Sequence, residues 1–144
     1  MATKVREAMT PGVQAATPEQ TVAEAAVMMK ENDVGSLPVV EDGMLVGVIT
    51  DRDIVVRAVA VRADPATLRV TEISSGQVLT AEPDQDLDDA LRLMGEHQVR
   101  RLPVVEHGRL IGMLAQADVA IVGGDKPTGK MLEDISRPSS TARA

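Results

Sequence analysis

Residues 34–54 read V-G-S-L-P-V-V-E-D-G-M-L-V-G-V-I-T-D-R-D-I. Residues 99–119 repeat the pattern without a gap and read V-R-R-L-P-V-V-E-H-G-R-L-I-G-M-L-A-Q-A-D-V. Pro38 thereby aligns with Pro103, and Gly47 aligns with Gly112. Repetition at a constant offset of 65 residues indicates two copies of one structural unit.

The repeat extends outward from these stretches over nearly the whole chain. The same offset aligns Val5 with Val70 and Glu7 with Glu72 near the start of each copy. We therefore predict a first copy over residues 1–64, a second over residues 65–123 and a C-terminal tail over residues 124–144.

Each copy reads as β-α-β-β-α, because alternating apolar runs, a helical apolar period and hairpin signals follow one another. In copy one we predict a strand at Val13–Ala16, a helix from Thr21, strands at Leu37–Val40 and Leu45–Thr50 around the turn Asp42-Gly43, and a helix from Asp51 toward Ala60. In copy two we predict Asp86 as the helix cap, strands at Leu102–Val105 and Leu110–Ala115 around His107-Gly108, and a helix from Gln116 toward Val122.

Composition narrows the class of protein. The chain has 0% aromatic residues and no cysteine, so its core must be aliphatic and it offers neither disulfides nor thiolates. A formal charge of −7 argues against nucleic-acid binding, which needs clustered Lys and Arg. No apolar run suits a signal peptide or a membrane span, so we expect a cytoplasmic protein.

Both copies resemble the CBS motif, here repeated as in a Bateman module, over residues 1–122. The resemblance rests on M-T-P at residues 9–11 and on the L-P-V-V-E-D-G-M-L-V-G-V-I-T-D-R-D-I run that begins at Leu37. It implies an α/β (α+β) fold in which tandem β-α-β-β-α repeats pack with pseudo-twofold symmetry. It also implies a regulatory homodimer that binds AMP, ADP, ATP or a related adenosyl compound in the clefts between the repeats.

The family's ribose-phosphate signature is complete in copy one, where residues 47–53 read G-V-I-T-D-R-D. A carboxylate at Asp53 can accept two vicinal ribose hydroxyls, while Thr50, Asp51 and Arg52 stand where a phosphate is held. The resemblance places adenine against residues Gln14, Ala15, Ala16, Leu37, Pro38 and Val39. The same T-x-x-D spacing also suits a helix cap, with Thr50 as N-cap, and that alternative stays open.

Copy two departs from the signature and reads G-M-L-A-Q-A-D over residues 112–118. Asp118 is kept for ribose, but Ala115 has no hydroxyl, so this cleft is expected to bind more weakly, to take fewer phosphates or to stay empty. The matching adenine lining includes Thr80 and Pro103. The resemblance also implies that Arg100 and Arg101 reach the phosphates of the ligand beside Thr50. The alternative, a solvated pair of surface cations, stays open.

Two functions from different classes remain. The complete signature favours a sensor of adenosine nucleotides, whereas Ala115 and the absence of a fused effector favour a ligand-free module that acts through a protein partner. No nucleophile beside a base and no metal-binding spacing of His97 or His107 is found, so neither an enzyme, a metal site nor a cofactor is expected.

Overall fold

A computed structural model describes residues 3–117 and 119. Helices and strands follow the chain as α1 (Val5–Ala8), α2 (Val22–Asn32), β1 (Ser36–Glu41), β2 (Met44–Thr50), α3 (Asp51–Ile54), a π-helical turn (Val55–Val59), α4 (Val70–Ile73), α5 (Leu87–His97), β3 (Arg101–Glu106) and β4 (Arg109–Ala115). This mixture of helices and antiparallel strand pairs confirms the predicted α+β class. Asp118, most of the predicted last helix and the tail at 124–144 lie outside the described residues.

The chain divides into two compact units, and their limits differ from those of the sequence repeats. The first unit comprises residues 14–78, and the described part of the second comprises residues 3–13, 79–117 and 119. Each unit therefore combines the strands of one copy with the N-terminal segment of the other. We call these segments arms: residues 65–78 are the arm of the first unit, and residues 3–13 are the arm of the second.

Equivalent hydrogen bonds hold the two arms. In the first unit, Ser75 and Val48 exchange two backbone bonds of 2.9 Å. In the second unit, Thr10 and Met113 exchange two of the same length. Since Ser75 aligns with Thr10 and Val48 with Met113, the exchange of arms follows the repeat at residue level.

The arm of the first unit explains the glycine at the start of the signature. A Cβ atom added to Gly47 would lie 2.7 Å from the backbone oxygen of Ser75, which is closer than real Cβ contacts come. The close approach of Ser75 therefore accounts for glycine at this position by packing alone.

The arm of the second unit is also fastened by side chains. Arg6 Nε donates to Asp84 Oδ1 at 3.0 Å, and Lys4 Nζ donates to Asp86 Oδ1 at the same distance. The hydrogen bond and charge of Arg6 hold the pKa of the exposed Asp84 carboxyl below its usual range. Asp86 occupies the N-cap position of α5 as predicted, but its side chain accepts no capping hydrogen bond. The predicted position of the cap is thus confirmed, whereas the capping hydrogen bond is not formed, and Asp86 Oδ1 accepts from Lys4.

The cap of α2 forms as predicted. Thr21 Oγ1 accepts from Glu24 N at 3.1 Å, and Glu24 Oε1 accepts from Thr21 N at 2.9 Å. Both hydrogen bonds of the capping box are present, so the predicted start of this helix is confirmed.

The predicted hairpins are also confirmed. Asp42 and Gly43 both have positive φ, 54° and 82°, as a two-residue type I′ turn requires. Around this turn β1 pairs antiparallel with β2, and around His107-Gly108 β3 pairs antiparallel with β4 in the matching register.

The predicted first strand, Val13–Ala16, is wrong, because Ala16 alone of this segment pairs with another described residue, in a single parallel bridge to Val39. Continuing the ladder one step toward the N-terminus would need an N–H from Pro38, and one step toward the C-terminus would need one from Pro18. Neither proline has that hydrogen. Copy two repeats the restriction, since Pro103 and Pro83 flank the bridge between Ala81 and Val104 in the same way.

Each unit has its own aliphatic core, as the aromatic-free composition requires. The core of the first unit consists of Ala16, Val22, Ala25, Met29, Leu37, Val39, Ile49, Ala58, Val70 and Ile73. The core of the second consists of Val5, Ala8, Ala81, Leu87, Ala90, Leu91, Met94, Leu102, Val104, Leu114 and Val119. Within residues 3–117 and 119, no helix is long and apolar enough to cross a membrane.

Candidate functional site

The end of β2 carries the central pair of the candidate site. Thr50 is the last residue of the strand and the N-cap of α3. Its Oγ1 accepts from Asp53 N at 3.0 Å, and its own N–H donates to Asp53 Oδ2 at 2.9 Å. The helix-cap interpretation of the T-x-x-D spacing is therefore correct as a description of the geometry.

The capping box still leaves the Asp53 carboxylate with acceptor capacity. Only Oδ2 is engaged, and within the described part of the chain Oδ1 has no hydrogen bond. A carboxylate offers about four lone-pair directions, so it can cap a helix and accept ligand hydroxyls at once. The cap also holds the half-buried Asp53 side chain in one orientation.

Backbone pairing brings the other predicted residues of copy one into neighbouring positions. Ala16 N donates to Pro38 O at 2.9 Å, and Val40 N donates to Ala16 O at 2.8 Å. Ser36 pairs with Thr50 across the β1–β2 ladder. Residues 14–16, 37–39 and 50–53 therefore lie on neighbouring segments of the first unit.

The residues expected to line adenine differ in their exposure. Ala16, Leu37 and Val39 are 0%, 2% and 1% exposed, and their side chains belong to the hydrophobic core. Pro38 is buried as well, whereas Gln14 is exposed and Ala15 is half-buried. While these side chains remain packed in the core, a base beside them meets backbone groups instead.

Charges around α3 nearly cancel. Asp51 and Asp53 carry one negative charge each, and the exposed Arg52 carries a positive one. Arg57 adds a second cation, although its Nη1 donates to Ile73 O at 3.3 Å. Such a site suits hydroxyl recognition better than it suits a polyphosphate.

The second unit repeats the backbone arrangement with different side chains. Ala81, next to Thr80, donates through its N–H to Pro103 O at 2.9 Å, and Arg101 pairs with Ala115 across the β3–β4 ladder. Ala115 ends β4 without the hydroxyl of Thr50. Asp118, the predicted ribose ligand, lies outside the described residues.

Arg100, which was predicted as a phosphate ligand, lies beside Gln116, which was not predicted as a site residue. Gln116 N donates to Arg100 O at 3.0 Å, so their backbones are joined. Arg100 Nε and Gln116 Oε1 are both buried, and neither has a hydrogen-bond partner among the described residues. Two differences between the copies could have drawn attention to Gln116. It aligns with the acidic Asp51, and Arg100 stands where copy one has Gly35.

Metal binding finds no support in the part of the chain that the structure describes. No group of three or more His, Asp or Glu side chains comes together there, and the sequence has no cysteine. His97 ends α5 and is exposed, while His107 occupies the β3–β4 turn with φ 54°.

Comparison with known proteins identifies the repeat. A model of the CBS domain matches residues 5–59 and 70–123. The chain is 41% identical over 133 residues to the CBS domain-containing protein YhcV of Bacillus subtilis, covering 92% of this chain and 94% of that protein.

Two solved structures add ligands to the comparison. Hypoxic Response Protein I with two coordinated zinc ions is 37% identical, with a TM-score of 0.75 over 83% of this chain and 98% of that one. CBSX2 in complex with AMP is 30% identical, with a TM-score of 0.71 over 83% of this chain and 94% of that one.

Proposed function

Because this chain belongs to the CBS domain family, as a pair of CBS repeats that forms a regulatory module, we propose that it senses an adenosine nucleotide. The ligand class is AMP, ADP, ATP or a related adenosyl compound. The observation that carries the proposal is the Thr50–Asp53 box, which orients a carboxylate whose Oδ1 has no hydrogen bond to any described residue. The complex of CBSX2 with AMP supports the choice of ligand.

Each part of the ligand has a proposed partner in the first unit. Asp53 accepts hydrogen bonds from the ribose hydroxyls, since an ionised acceptor makes the stronger bonds. Backbone groups of residues 14–16 and 37–39 meet the adenine, and Arg52 is the exposed cation next to the box that pairs with a phosphate. The near cancellation of charge around α3 favours a ligand with few phosphates at this site.

The proposed activity is binding without catalysis. A nucleotide that binds one arrangement of the module more tightly than another shifts the population toward the first. The size of the shift is limited by that difference in affinity. The output is therefore a changed surface that a partner protein recognises, and the cytoplasmic location expected from the sequence remains part of this proposal.

A second candidate, a module that acts by protein contacts alone, is favoured by one surface of the first unit. Val55, Val56, Val59 and Val61 are 46–64% exposed along the π-helical turn and the residues that follow it. Large apolar side chains clustered at a surface mark contacts between proteins. We propose that a second copy of this chain covers them, which retains the expected homodimer.

Thermal-shift measurements against AMP, ADP, ATP and adenosine separate the two candidates. A ligand at 100 times its Kd stabilises the folded protein by about 2.7 kcal/mol, which for a chain of this size raises Tm by roughly 5–10 °C. The sensor predicts such a shift with at least one adenosine compound and none with the matching uridine compound. The module that acts by contacts alone predicts no shift with any of them.

A further inference from the structure

We propose that the arm of the second unit swaps between chains, so that the second unit of one chain accepts the arm of a second copy. This inference goes beyond nucleotide binding and does not rest on it. Its basis is the way in which the chain assembles the second unit, the contacts that hold the arm there and the link that joins the arm to the first unit.

The second unit is assembled from two separate stretches of chain. Its arm comprises residues 3–13, and the rest of its described part begins at Leu79. Residues 14–78, which form the first unit, lie between the two stretches in the sequence. The first unit is one continuous stretch that already includes its own arm. Only the second unit is therefore completed equally well by an arm from another chain.

Apolar anchors and backbone hydrogen bonds hold the arm of the second unit. Val5 and Ala8 are 0% and 5% exposed and belong to the aliphatic core of that unit. Val5 N donates to Gln85 O at 2.9 Å, and Leu87 N donates to Thr3 O at 2.8 Å. Because an arm that leaves exposes part of this core, we expect swapping to be slow and swapped chains to persist.

Opposite charges select the occupant of the second unit. Lys4 Nζ lies 3.0 Å from Asp86 Oδ1, and Arg6 Nε lies 3.0 Å from Asp84 Oδ1. Exposed pairs of this kind contribute little to stability, but they discriminate between alternative occupants. The aligned arm of the first unit has Thr71 in place of Arg6 and cannot form the pair with Asp84. The matching occupant is therefore the same arm of a second copy.

The link between this arm and the first unit has the features of a hinge. Pro11 and Gly12 are exposed, and Gly12 has a φ of 69°. A Cβ atom added to Gly12 would meet no described atom within 4 Å beyond its chain neighbours. Glycine adopts positive and negative φ with similar ease. A change of backbone angles at Gly12 therefore redirects the arm without altering the contacts that the arm makes.

Concentration decides which second unit the arm occupies. A chain that keeps its own arm and a pair of chains that swap arms make the same contacts in their second units. The two states therefore differ mainly in the entropy lost on association. Dilution favours chains that keep their own arms, and high chain concentration favours swapping. The proposal is thus compatible with a monomer in dilute solution and does not require the exposed valines of the first unit.

Trapping with cysteine tests the swap in the full chain, because the sequence has no cysteine. Thr10 and Met113 exchange two backbone hydrogen bonds. Antiparallel partners bonded in this way have Cα atoms about 5.5 Å apart, which suits a disulfide. Thr10→Cys and Met113→Cys chains are mixed at high concentration, incubated and treated with oxidised glutathione. We expect a disulfide-linked heterodimer, identified by the mass of its linked peptides.

The first unit provides the matched control. Ser75 and Val48 make the same pair of backbone hydrogen bonds there. Because that arm is continuous with the rest of its unit, we expect mixed Ser75→Cys and Val48→Cys chains to give no such heterodimer. A single chain with both Thr10→Cys and Met113→Cys, oxidised in dilute solution, should close its disulfide internally and stay monomeric.

The absence of a linked heterodimer from Thr10→Cys and Met113→Cys, when the doubly substituted chain closes its own disulfide, overturns the swap. Equal yields in the test and control mixtures also overturn it, because they report random collisions.

If the doubly substituted chain does not close its disulfide, mixed Arg6→Asp and Asp84→Arg chains provide the second test. Each variant alone brings like charges together, whereas swapping between the two restores opposite charges in both second units. We expect native mass spectrometry to show heterodimers in excess over homodimers, and a mixture without heterodimers overturns the swap. Both tests are run without nucleotide, so their failure leaves the proposed sensor intact.

Discussion

Asp53→Asn distinguishes a binding carboxylate from a structural one. The Asn side-chain oxygen can still accept from Thr50 N, as Asp53 Oδ2 does at 2.9 Å, so the capping box survives. We expect a loss of unfolding free energy of at most about 1 kcal/mol, the ordinary cost of altering a cap. The free Oδ1, however, is replaced by an NH2 group, which donates and cannot accept from a ribose hydroxyl.

Binding should therefore suffer far more than stability. Hydrogen bonds to a charged group contribute about 1.5–3 kcal/mol, so the affinity for AMP should fall roughly 10- to 100-fold. Glu24→Gln is the matched control, because Glu24 closes the same kind of box on α2 of the same unit, accepting from Thr21 N at 2.9 Å. It removes an equal charge from an equivalent cap and should leave affinity unchanged.

Calorimetry gives the affinities, and urea denaturation shows that both variants are folded. If folded Asp53→Asn binds AMP as tightly as the wild type, the carboxylate is only a helix cap. An equal loss in Glu24→Gln and Asp53→Asn would instead assign the effect to general charge or to weakened helices.

Three further predictions concern the fold and its assembly. Gly47→Ala should lower the free energy of unfolding by about 1–3 kcal/mol in urea, because the new Cβ meets the Ser75 backbone oxygen at 2.7 Å. Gly76→Ala, whose Cβ would meet nothing closer than 3.9 Å, should be nearly neutral, and equal costs would contradict the arm-crossing explanation. Arg6→Met should raise the pKa of Asp84 toward its usual value in an NMR titration. Because that pKa is lowered in the folded state, the ion pair stabilises the protein above the ordinary carboxyl pKa. This stabilisation is lost as the pH falls through the lowered pKa. An Asp84 pKa that does not change in Arg6→Met would show that the pair is not formed in solution. Val59→Glu, at a side chain 62% exposed, should leave the fold intact and turn a dimer into a monomer in sedimentation experiments, and a monomeric wild type would refute the homodimer.

The repeat made much of each unit predictable, because strong local signals agree with the fold. The Thr21–Glu24 box and the Asp42-Gly43 turn each depend on a few neighbouring residues, so their positions follow from spacing alone. The side chain of Asp86 shows the limit of local spacing. It accepts from Lys4, which is 82 positions away in the sequence, and makes no capping hydrogen bond.

The repeat does not predict the exchange of arms or the shortness of the first strand. Alignment of the two copies shows which residues are equivalent. It does not show whether the strands of one copy pack against their own arm or against the arm of the other copy. The prolines that limit the first strand were visible at positions 18 and 38, and only the pairing partner of Ala16 shows that they remove the needed donors.

The candidate site was predictable where it depends on one short motif and unpredictable where it depends on burial. Thr50 and Asp53 were found from the signature, and the structure shows them joined in both directions. Burial depends on three-dimensional contacts that no spacing encodes. It packs Leu37 and Val39 into the core and leaves Gln116 Oε1 without a hydrogen-bond partner among the described residues.

The central claim, that the first unit binds an adenosine nucleotide at the Thr50–Asp53 box, is tested most directly by NMR titration of the ¹⁵N-labelled wild-type chain with AMP. The account predicts saturable shifts of the backbone amide signals of Gln14–Ala16 and Thr50–Asp53, with adenosine producing the same pattern. Signals of these residues that remain unmoved by AMP at roughly millimolar concentration, where even weak Kd values register, would contradict it.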